Sequence, residues 1–227
     1  SLLSAAIAQE NIFFTAHGSN QALPYPGGPV GPPGVLHLER KRYLWEERLY
    51  EQISIVNYSR DVVIVPLVIE YGADFHDMFE VRGMHRLRRG LMLPTEFEGR
   101  TVRFGYEGLD QVVRRSVITF SDPPFRMSAQ RAEFMYSIQA EGRLQLQLEV
   151  GAHNAAIPSR ERFRAAAARA RFDMRGRIRH GARLKTSGRL FNEWLDKSRA
   201  DIALLTTRME TGPYPYAGIP WFSTAFG

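Results

Sequence analysis

Arg143-Leu-Gln-Leu-Gln-Leu-Glu-Val150 is the stretch of sequence that decides the fold. Leucine or valine occupies every even position, and arginine, glutamine or glutamate occupies every odd one. Because side chains alternate between the two faces of a strand, this pattern predicts an antiparallel strand with one buried and one solvated face. The preceding Ala140-Glu-Gly142 is interpreted as a hairpin turn.

Further strand-like runs precede this stretch at nearly regular spacing; they are 35–39, 52–56, 62–69, 100–104, 111–120 and 133–138. Several short strands with turn residues between them predict a mainly β protein built as an antiparallel β-sandwich. Residues 62–69 are apolar throughout, which predicts a strand buried on both faces, and Pro66 inside them predicts a bulge or an edge position. Residues 1–9 are interpreted as a strand interior cut from a longer chain rather than the end of a signal peptide.

The pattern changes after residue 158. Ser159 can cap a helix that contains an alanine run, so a helix is predicted over 159–171. Residues 187–205 form an amphipathic pattern with one mostly apolar face, made of Phe191, Trp194, Leu195, Ser198, Ile202 and Leu205. We therefore divide the chain into a β-sandwich (1–158), an arginine-rich connector (159–186), and a linker helix with an aromatic loop (187–227).

The 227 residues carry a net charge of +6, but that charge is local. Residues 160–189 hold ten arginines and one lysine against two acidic residues, so the rest of the chain is net negative. Arginine can neutralise phosphates, and Phe163 and Phe172 could stack on bases. A solvated connector, or a surface that docks on an acidic neighbouring domain, is favoured, and we expect no nucleic-acid partner.

Composition excludes several classes of protein and site. The chain has no cysteine, which excludes disulfides, cysteine-ligated zinc and thiol catalysis. Its longest apolar run has eight residues, far short of the ~20 that span a bilayer, so no membrane partner is expected. Asp74, His76, Asp77 and Glu80 do not have the spacing of a metal site, and a capped turn is favoured. We expect no catalytic residue, metal ion or cofactor in this chain.

Four aromatic residues lie in the Pro/Gly-rich C-terminal stretch: Tyr214, Tyr216, Trp221 and Phe222. Their spacing has neither a helical nor a strand period. Aromatic rings held by proline and glycine can pack in a core, or they can cover the apolar face of a sugar ring. Residue chemistry alone leaves both interpretations open.

Several motifs together resemble a known family: 73–83 (ADFHDMFEVRG), 104–110 (FGYEGLD), 113–115 (VRR), 191–195 (FNEWL), 200–205 (ADIALL) and 218–227 (GIPWFSTAFG). They are similar to the N-terminal domain of bacterial glycogen-debranching-type enzymes, the amylo-α-1,6-glucosidase-like glycoside hydrolases. The resemblance runs from about residue 35 to the end of the chain, and the last motif is the most specific.

The resemblance implies a β-sandwich that precedes a catalytic barrel of paired helices, in an enzyme that hydrolyses α-glucosidic bonds. In the family the final motif continues with Arg-Asp, and the catalytic carboxylates lie beyond it. The chain is then the non-catalytic N-terminal part of a cytoplasmic enzyme; it packs on the catalytic domain and helps to wall the substrate cleft. The resemblance also implies positions near the sugar pocket for Trp221 and Phe222.

Two alternatives stay open: a stand-alone module that binds an α-glucan or maltooligosaccharide through its C-terminal aromatic residues, and a nucleic-acid binder that uses the arginine-rich segment. We also expect the apolar face of the 187–205 helix to be exposed in this chain, which would favour self-association.

Overall fold

A computed structural model describes residues 1–8, 10–23, 32–210 and 212–215. Its strands are β1 (Leu2–Ala8), β2 (Phe13–Ser19), β3 (Leu36–Trp45), β4 (Arg48–Asn57), β5 (Val63–Glu70), β6 (Leu91–Glu98), β7 (Thr101–Glu107), β8 (Val113–Phe120), β9 (Arg126–Met127), β10 (Arg131–Ile138), β11 (Arg143–Gly151), β12 (Thr206–Met209) and β13 (Gly212–Pro215). Its helices are α1 (Met78–Val81), α2 (Arg160–Arg179) and α3 (Arg189–Leu205). The prediction of a mainly β, antiparallel fold followed by helices is confirmed.

The larger sheet has eight antiparallel strands in the order β1-β2-β3-β4-β11-β8-β7-β6. The strictly alternating strand β11 lies inside it, between β4 and β8. Leu146 and Leu148 are buried on one face, and Leu146 lies opposite Ile53 of β4. The odd-numbered face is not uniformly solvated as predicted, because Gln147 and Glu149 are buried as well.

The second layer is a three-stranded sheet in the order β5-β10-β9, which packs on the even-numbered face of β11. Phe134 of this layer meets Phe120 of the larger sheet edge to face, with ring centroids 5.3 Å apart. The shared core contains residues of both sheets: Ile53, Ile55, Val102, Phe104, Ile118, Phe120, Leu146 and Leu148 from the larger one, and Val63, Val65, Ala132, Phe134 and Ile138 from the smaller one. This arrangement is the predicted β-sandwich.

Two local predictions are corrected by the structure. β5 is an edge strand, so the predicted edge position of Pro66 is confirmed, but β5 is not buried on both faces, since Val65 is buried and Val68 is 45% exposed. Pro66 therefore costs no ladder hydrogen bond on its outer side. A turn does form before β11, where the Gly142 N–H donates to the Gln139 carbonyl (2.9 Å), but it joins the two sheets and is not a hairpin.

Both predicted helices form. α2 follows Ser159, whose Oγ accepts a hydrogen bond from the Arg162 N–H (3.2 Å), and it extends beyond the predicted end to Arg179. Its buried side has the spacing i, i+3, i+4, i+7 and i+11, which places one continuous stripe against the sheet. Among the described residues, no helix is long and apolar enough to cross a membrane.

We expect Phe120→Ala to lower the free energy of unfolding by about 3–5 kcal/mol, because it leaves a cavity where both layers meet. Urea denaturation followed by circular dichroism measures the loss. Phe125→Ala is the matched control, since that ring is 79% exposed and its removal should cost less than about 0.5 kcal/mol. Equal losses in the two variants would contradict the assignment of the core.

Burial raises the pKa of four tyrosines, Tyr43, Tyr50, Tyr71 and Tyr136, and that of Tyr71 reaches about 12. An unfolded tyrosine titrates near pH 10, so above about pH 10 the unfolded chain releases protons that the folded chain retains. Stability should therefore be unaffected by these groups below about pH 10 and should fall as the pH rises toward 12. Urea midpoints measured across this range test the decline, and Tyr71→Phe should make it shallower.

Candidate functional site

An aromatic cluster packs α2 on the larger sheet, on the face that carries Glu149 and lies opposite to the second layer. The ring of Tyr43 stacks on Tyr50 with centroids 5.1 Å apart, and it meets Phe13 and Phe163 edge to face at 5.2 and 5.0 Å. The Tyr43 hydroxyl donates to the backbone carbonyl of Phe163 at 2.5 Å. Burial, with Tyr50 and Glu149 nearby, raises the pKa of Tyr43, so this phenol stays a donor at neutral pH.

A buried ion cluster lies beside these rings. The side chain of Glu149 is only 2% exposed and accepts two hydrogen bonds from Arg162, at 3.0 and 2.9 Å. Arg48 Nε lies 3.8 Å from the same carboxylate, and its Nη2 donates to the carbonyl of His153 at 2.9 Å. A side chain at position 151 would place its Cβ 2.9 Å from the Arg48 guanidinium carbon, so glycine at this position is what gives Arg48 room.

α3 lies against α2 through small residues. Ala200 and Ala203 are its buried residues, and Arg199 Nη2 donates to the carbonyl of Ile178 at 2.9 Å. Asn11, in the turn between β1 and β2, donates to Asp201 at 2.5 Å and accepts from Lys197. These contacts attach α3 to the sandwich by its alanine side.

The opposite side of α3 carries large apolar side chains that no described element covers. Five of them expose between 50% and 73% of their surface: Leu190, Phe191, Trp194, Ile202 and Leu205. The rings of Phe191 and Trp194 stack on each other with centroids 5.5 Å apart. This is the predicted apolar face, on which Leu195 and Ser198 are partly buried. Its exposure agrees with the expectation from the sequence.

Of the predicted sugar-platform residues, the structure describes only Tyr214. It lies on β13 opposite Thr207 of β12 and is partly buried. Tyr216, Trp221 and Phe222 lie outside the described residues, so the aromatic platform remains a prediction. The β12–β13 hairpin, α3 and the end of α2 enclose a cleft of about 960 Å³. Its lining is mainly apolar, with four basic side chains: Arg177, His180, Arg199 and Arg208.

The acidic cluster before β6 is a capped turn, as favoured from the sequence. Asp77 caps α1 by accepting from the N–H groups of Phe79 and Glu80, both at 2.9 Å, and Glu80 accepts from the Asp77 N–H at 3.1 Å. Arg89 Nε lies 3.0 Å from Glu80. Across the described ranges, no group of three or more His, Asp or Glu side chains is placed to hold a metal ion.

Sequence reasoning missed the role of Arg162, because it treated the arginine-rich segment as a solvated connector. The missed signal is the apolar spacing of α2, which begins at Phe163 and predicts a face that packs on the sheet. Part of the local positive charge is also neutralised, since Arg162, Arg175 and Arg177 pair with Glu149, Glu10 and Asp173.

Glu149→Ala should destabilise the chain by about 2–3 kcal/mol, because Arg48 and Arg162, whose side chains are 15% and 36% exposed, lose the carboxylate that both of them contact. Loss of helical circular dichroism at lower urea than in the wild type would report the detachment of α2. Asp110→Ala is the matched control: Asp110 also receives two hydrogen bonds from one arginine, Arg114, at 3.0 and 2.7 Å, but that pair is about half exposed. A control variant as unstable as Glu149→Ala would show that burial is not the reason.

Three solved structures resemble the chain at low identity. A protein assigned as a kojibiose phosphorylase from the human microbiome is 10% identical, over 89% of this chain and 25% of that chain, with a TM-score of 0.46. A polysaccharide lyase is 13% identical, over 57% and 22%, with a TM-score of 0.33. A galactose mutarotase related enzyme from Lactobacillus acidophilus is 9% identical, over 68% and 71%, with a TM-score of 0.36. The chain thus spans about a quarter of the phosphorylase.

No curated protein sequence gives a significant match to the chain. One family model does match, and it covers residues 1–149, the part that contains both layers of the sandwich. That model describes the N-terminal domain of some glycogen debranching enzymes. The match extends over well over half of the chain, and the chain therefore belongs to the family of N-terminal domains of glycogen debranching enzymes.

Proposed function

We propose that this chain is the non-catalytic N-terminal part of a cytoplasmic, glycogen-debranching-type α-glucosidase that acts on α-glucans. In this proposal the sandwich (1–158) and the connector (159–186) present the helix and aromatic loop (187–227) to the catalytic domain. The observation that carries the proposal is the exposed apolar face of α3.

The chemistry of this face favours a protein partner. Each large apolar side chain that leaves water on docking contributes about 25 cal/mol per Å² of buried apolar surface. Tryptophan and phenylalanine are also the side chains that dominate protein interfaces, and Phe191 and Trp194 already stack on each other. α3 therefore presents a preformed anchor, which keeps the entropy cost of docking low.

The family supports the choice of partner. An N-terminal domain of a debranching enzyme has the remainder of that enzyme as its neighbour. α3 follows the residues matched by the family model and is attached by its alanine side, so its apolar side points away from the sandwich's own helix α2. The catalytic domain is the occupant that we propose for it.

The contribution to the substrate cleft is the second part of the proposal. The cleft beside β12 and β13 combines an apolar lining with basic side chains, and Tyr214 lies on one of the two strands that border it. With Tyr216, Trp221 and Phe222, this tyrosine could cover the apolar faces of glucose units.

Docking can be tested by producing this chain and the catalytic domain of its enzyme as separate polypeptides. We expect them to form a complex, and Phe191→Ser and Trp194→Ser should each weaken it by more than about tenfold, because each removes an aromatic anchor. Biolayer interferometry measures the affinities.

Phe125→Ser is the matched control for docking, since it removes a ring that is 79% exposed, against 50% for Phe191 and 60% for Trp194, from the loop between β8 and β9. Its affinity should equal that of the wild type. Unchanged affinity in the two α3 variants would overturn α3 as the docking surface, and a reading frame that encodes no glucosidase domain would overturn the proposed function.

Sugar binding is tested by titrating the chain with maltooligosaccharides in a calorimeter. We expect weak binding that Tyr214→Ala reduces, whereas Tyr58→Ala, which removes a 70% exposed ring elsewhere, leaves it unchanged. No heat at millimolar sugar would remove the stand-alone glycan-binding alternative and this chain's own share of the cleft. It would leave the docking proposal intact.

A further inference from the structure

Two histidines meet on the face of the larger sheet that also carries Glu149. His17 lies on β2 opposite Glu39 of β3, and His37 lies two residues before Glu39. The two histidines are therefore diagonal neighbours across the strand pair. Nδ1 of His17 is 3.1 Å from Nε2 of His37, and the rings are nearly parallel, with an interplanar angle of 18°. One nitrogen of each ring thus faces the other ring.

The distance between these nitrogens matches that of two ligands on one metal ion. A transition-metal ion binds imidazole nitrogen at about 2.0–2.1 Å. Two such nitrogens are then about 2.9 Å apart if they meet the ion at a right angle, and about 3.4 Å apart at the tetrahedral angle. The observed 3.1 Å lies between these values.

No change in the charge of the rings is needed for binding. In a neutral pair, an N–H of one imidazole donates to the unprotonated nitrogen of the other. When an ion takes the place of this hydrogen bond, the donated proton moves to the other nitrogen of its own ring. Both rings then remain neutral, which is the form of histidine that binds metals.

The surroundings of the pair favour a cation. Glu39 adds negative charge, because it lies on the same face, opposite His17 and two residues from His37. The next cation along that face of β3 is Lys41, whose Nζ lies over the ring of Phe13, 4.5 Å from its centroid. Both histidines are partly exposed, so an ion can reach them with water molecules still bound to it.

We propose that His17 and His37 bind one divalent transition-metal ion of the zinc, copper or nickel type, with water molecules in the remaining positions. Imidazole nitrogen suits these ions, whereas Ca²⁺ and Mg²⁺ prefer oxygen ligands. The chain has no cysteine, so no thiolate competes for the ion. Sequence spacing did not predict this site, because the histidines are 20 residues apart and only the pairing of β2 with β3 brings them together.

A shared ion would tie β2 to β3 in a part of the larger sheet that contributes little to the core between the layers. Among the described residues of that core, β2 supplies no buried side chain and β3 supplies Leu36. Because the two nitrogens meet only in the folded chain, the ion stabilises the folded state by mass action. The gain in stability should be concentrated at these two strands.

Calorimetric titration of the intact chain with zinc chloride measures the binding. We expect one ion per chain, and His17→Gln or His37→Gln should each weaken binding by more than about tenfold, since a lost ligand costs at least as much as a lost supporting contact. His153→Gln is the matched control, because that histidine is exposed and lies beyond β11; its affinity should equal that of the wild type. Circular dichroism checks that the variants fold.

Electron paramagnetic resonance of the chain loaded with Cu²⁺ identifies the ligands. The wild type should show nitrogen hyperfine coupling from two imidazoles, and His17→Gln and His37→Gln should each lose this signature. Mg²⁺ should not compete with zinc. Zinc affinity that neither variant weakens, or no binding at millimolar zinc, would overturn the proposal.

Amide hydrogen exchange gives an independent measurement. Zinc should slow exchange in β2 and β3 of the wild type and leave it unchanged in His17→Gln. Protection that appears only at other elements would assign the ion to another site and overturn the role of this pair. Neither outcome affects the docking proposal, which does not involve the two histidines and is measured as affinity for the catalytic domain.

Discussion

Arg162 and Glu149 join α2 to the centre of the larger sheet, and together with the aromatic cluster around Tyr43 they fix α2, on which α3 rests. Glu149 lies on β11, so the carboxylate is held by the most interior part of the fold. α3 then rests on α2 through alanines, and Asn11 in the β1–β2 turn contacts Lys197 and Asp201 of α3. A buried, doubly hydrogen-bonded pair costs desolvation energy, but it fixes one orientation of the helix.

The two layers of the sandwich differ in size, so the smaller sheet cannot cover the whole face of the larger one. Three strands cover part of one face of an eight-stranded sheet, and α2 covers part of the other. The remaining surfaces are polar or carry exposed apolar side chains. On α3 the large apolar side chains lie together on one side of the helix, and this grouping has the chemistry of an interface.

Most of the fold could be predicted from period and composition. β11 has the two-residue period of a strand and α3 has the period of a helix. Both periods can be recognised from residues that are close in sequence, so both elements could be predicted. The errors have a different origin. Pro66 could mark a bulge or an edge, and only the strand order decides between them. The alternating pattern of β11 predicts that Glu149 faces solvent. Its partner Arg162 lies on the following helix, and a pairing between two elements cannot be predicted from the pattern of either one. Among the candidate site residues, the position of Tyr214 on a hairpin was not foreseen either.

The place of β11 between β4 and β8 also has a consequence for how the chain acquires its structure. β1 to β4 are consecutive neighbours and can pair as they emerge during synthesis, but Ile53 must wait for Leu146, about ninety residues later. Until then the inner edge of β4 stays open with Ile53 and Ile55 unburied. Closing so long a loop slows folding. During synthesis β4, a central strand of the finished sheet, is therefore an exposed edge strand at which the nascent chain can aggregate.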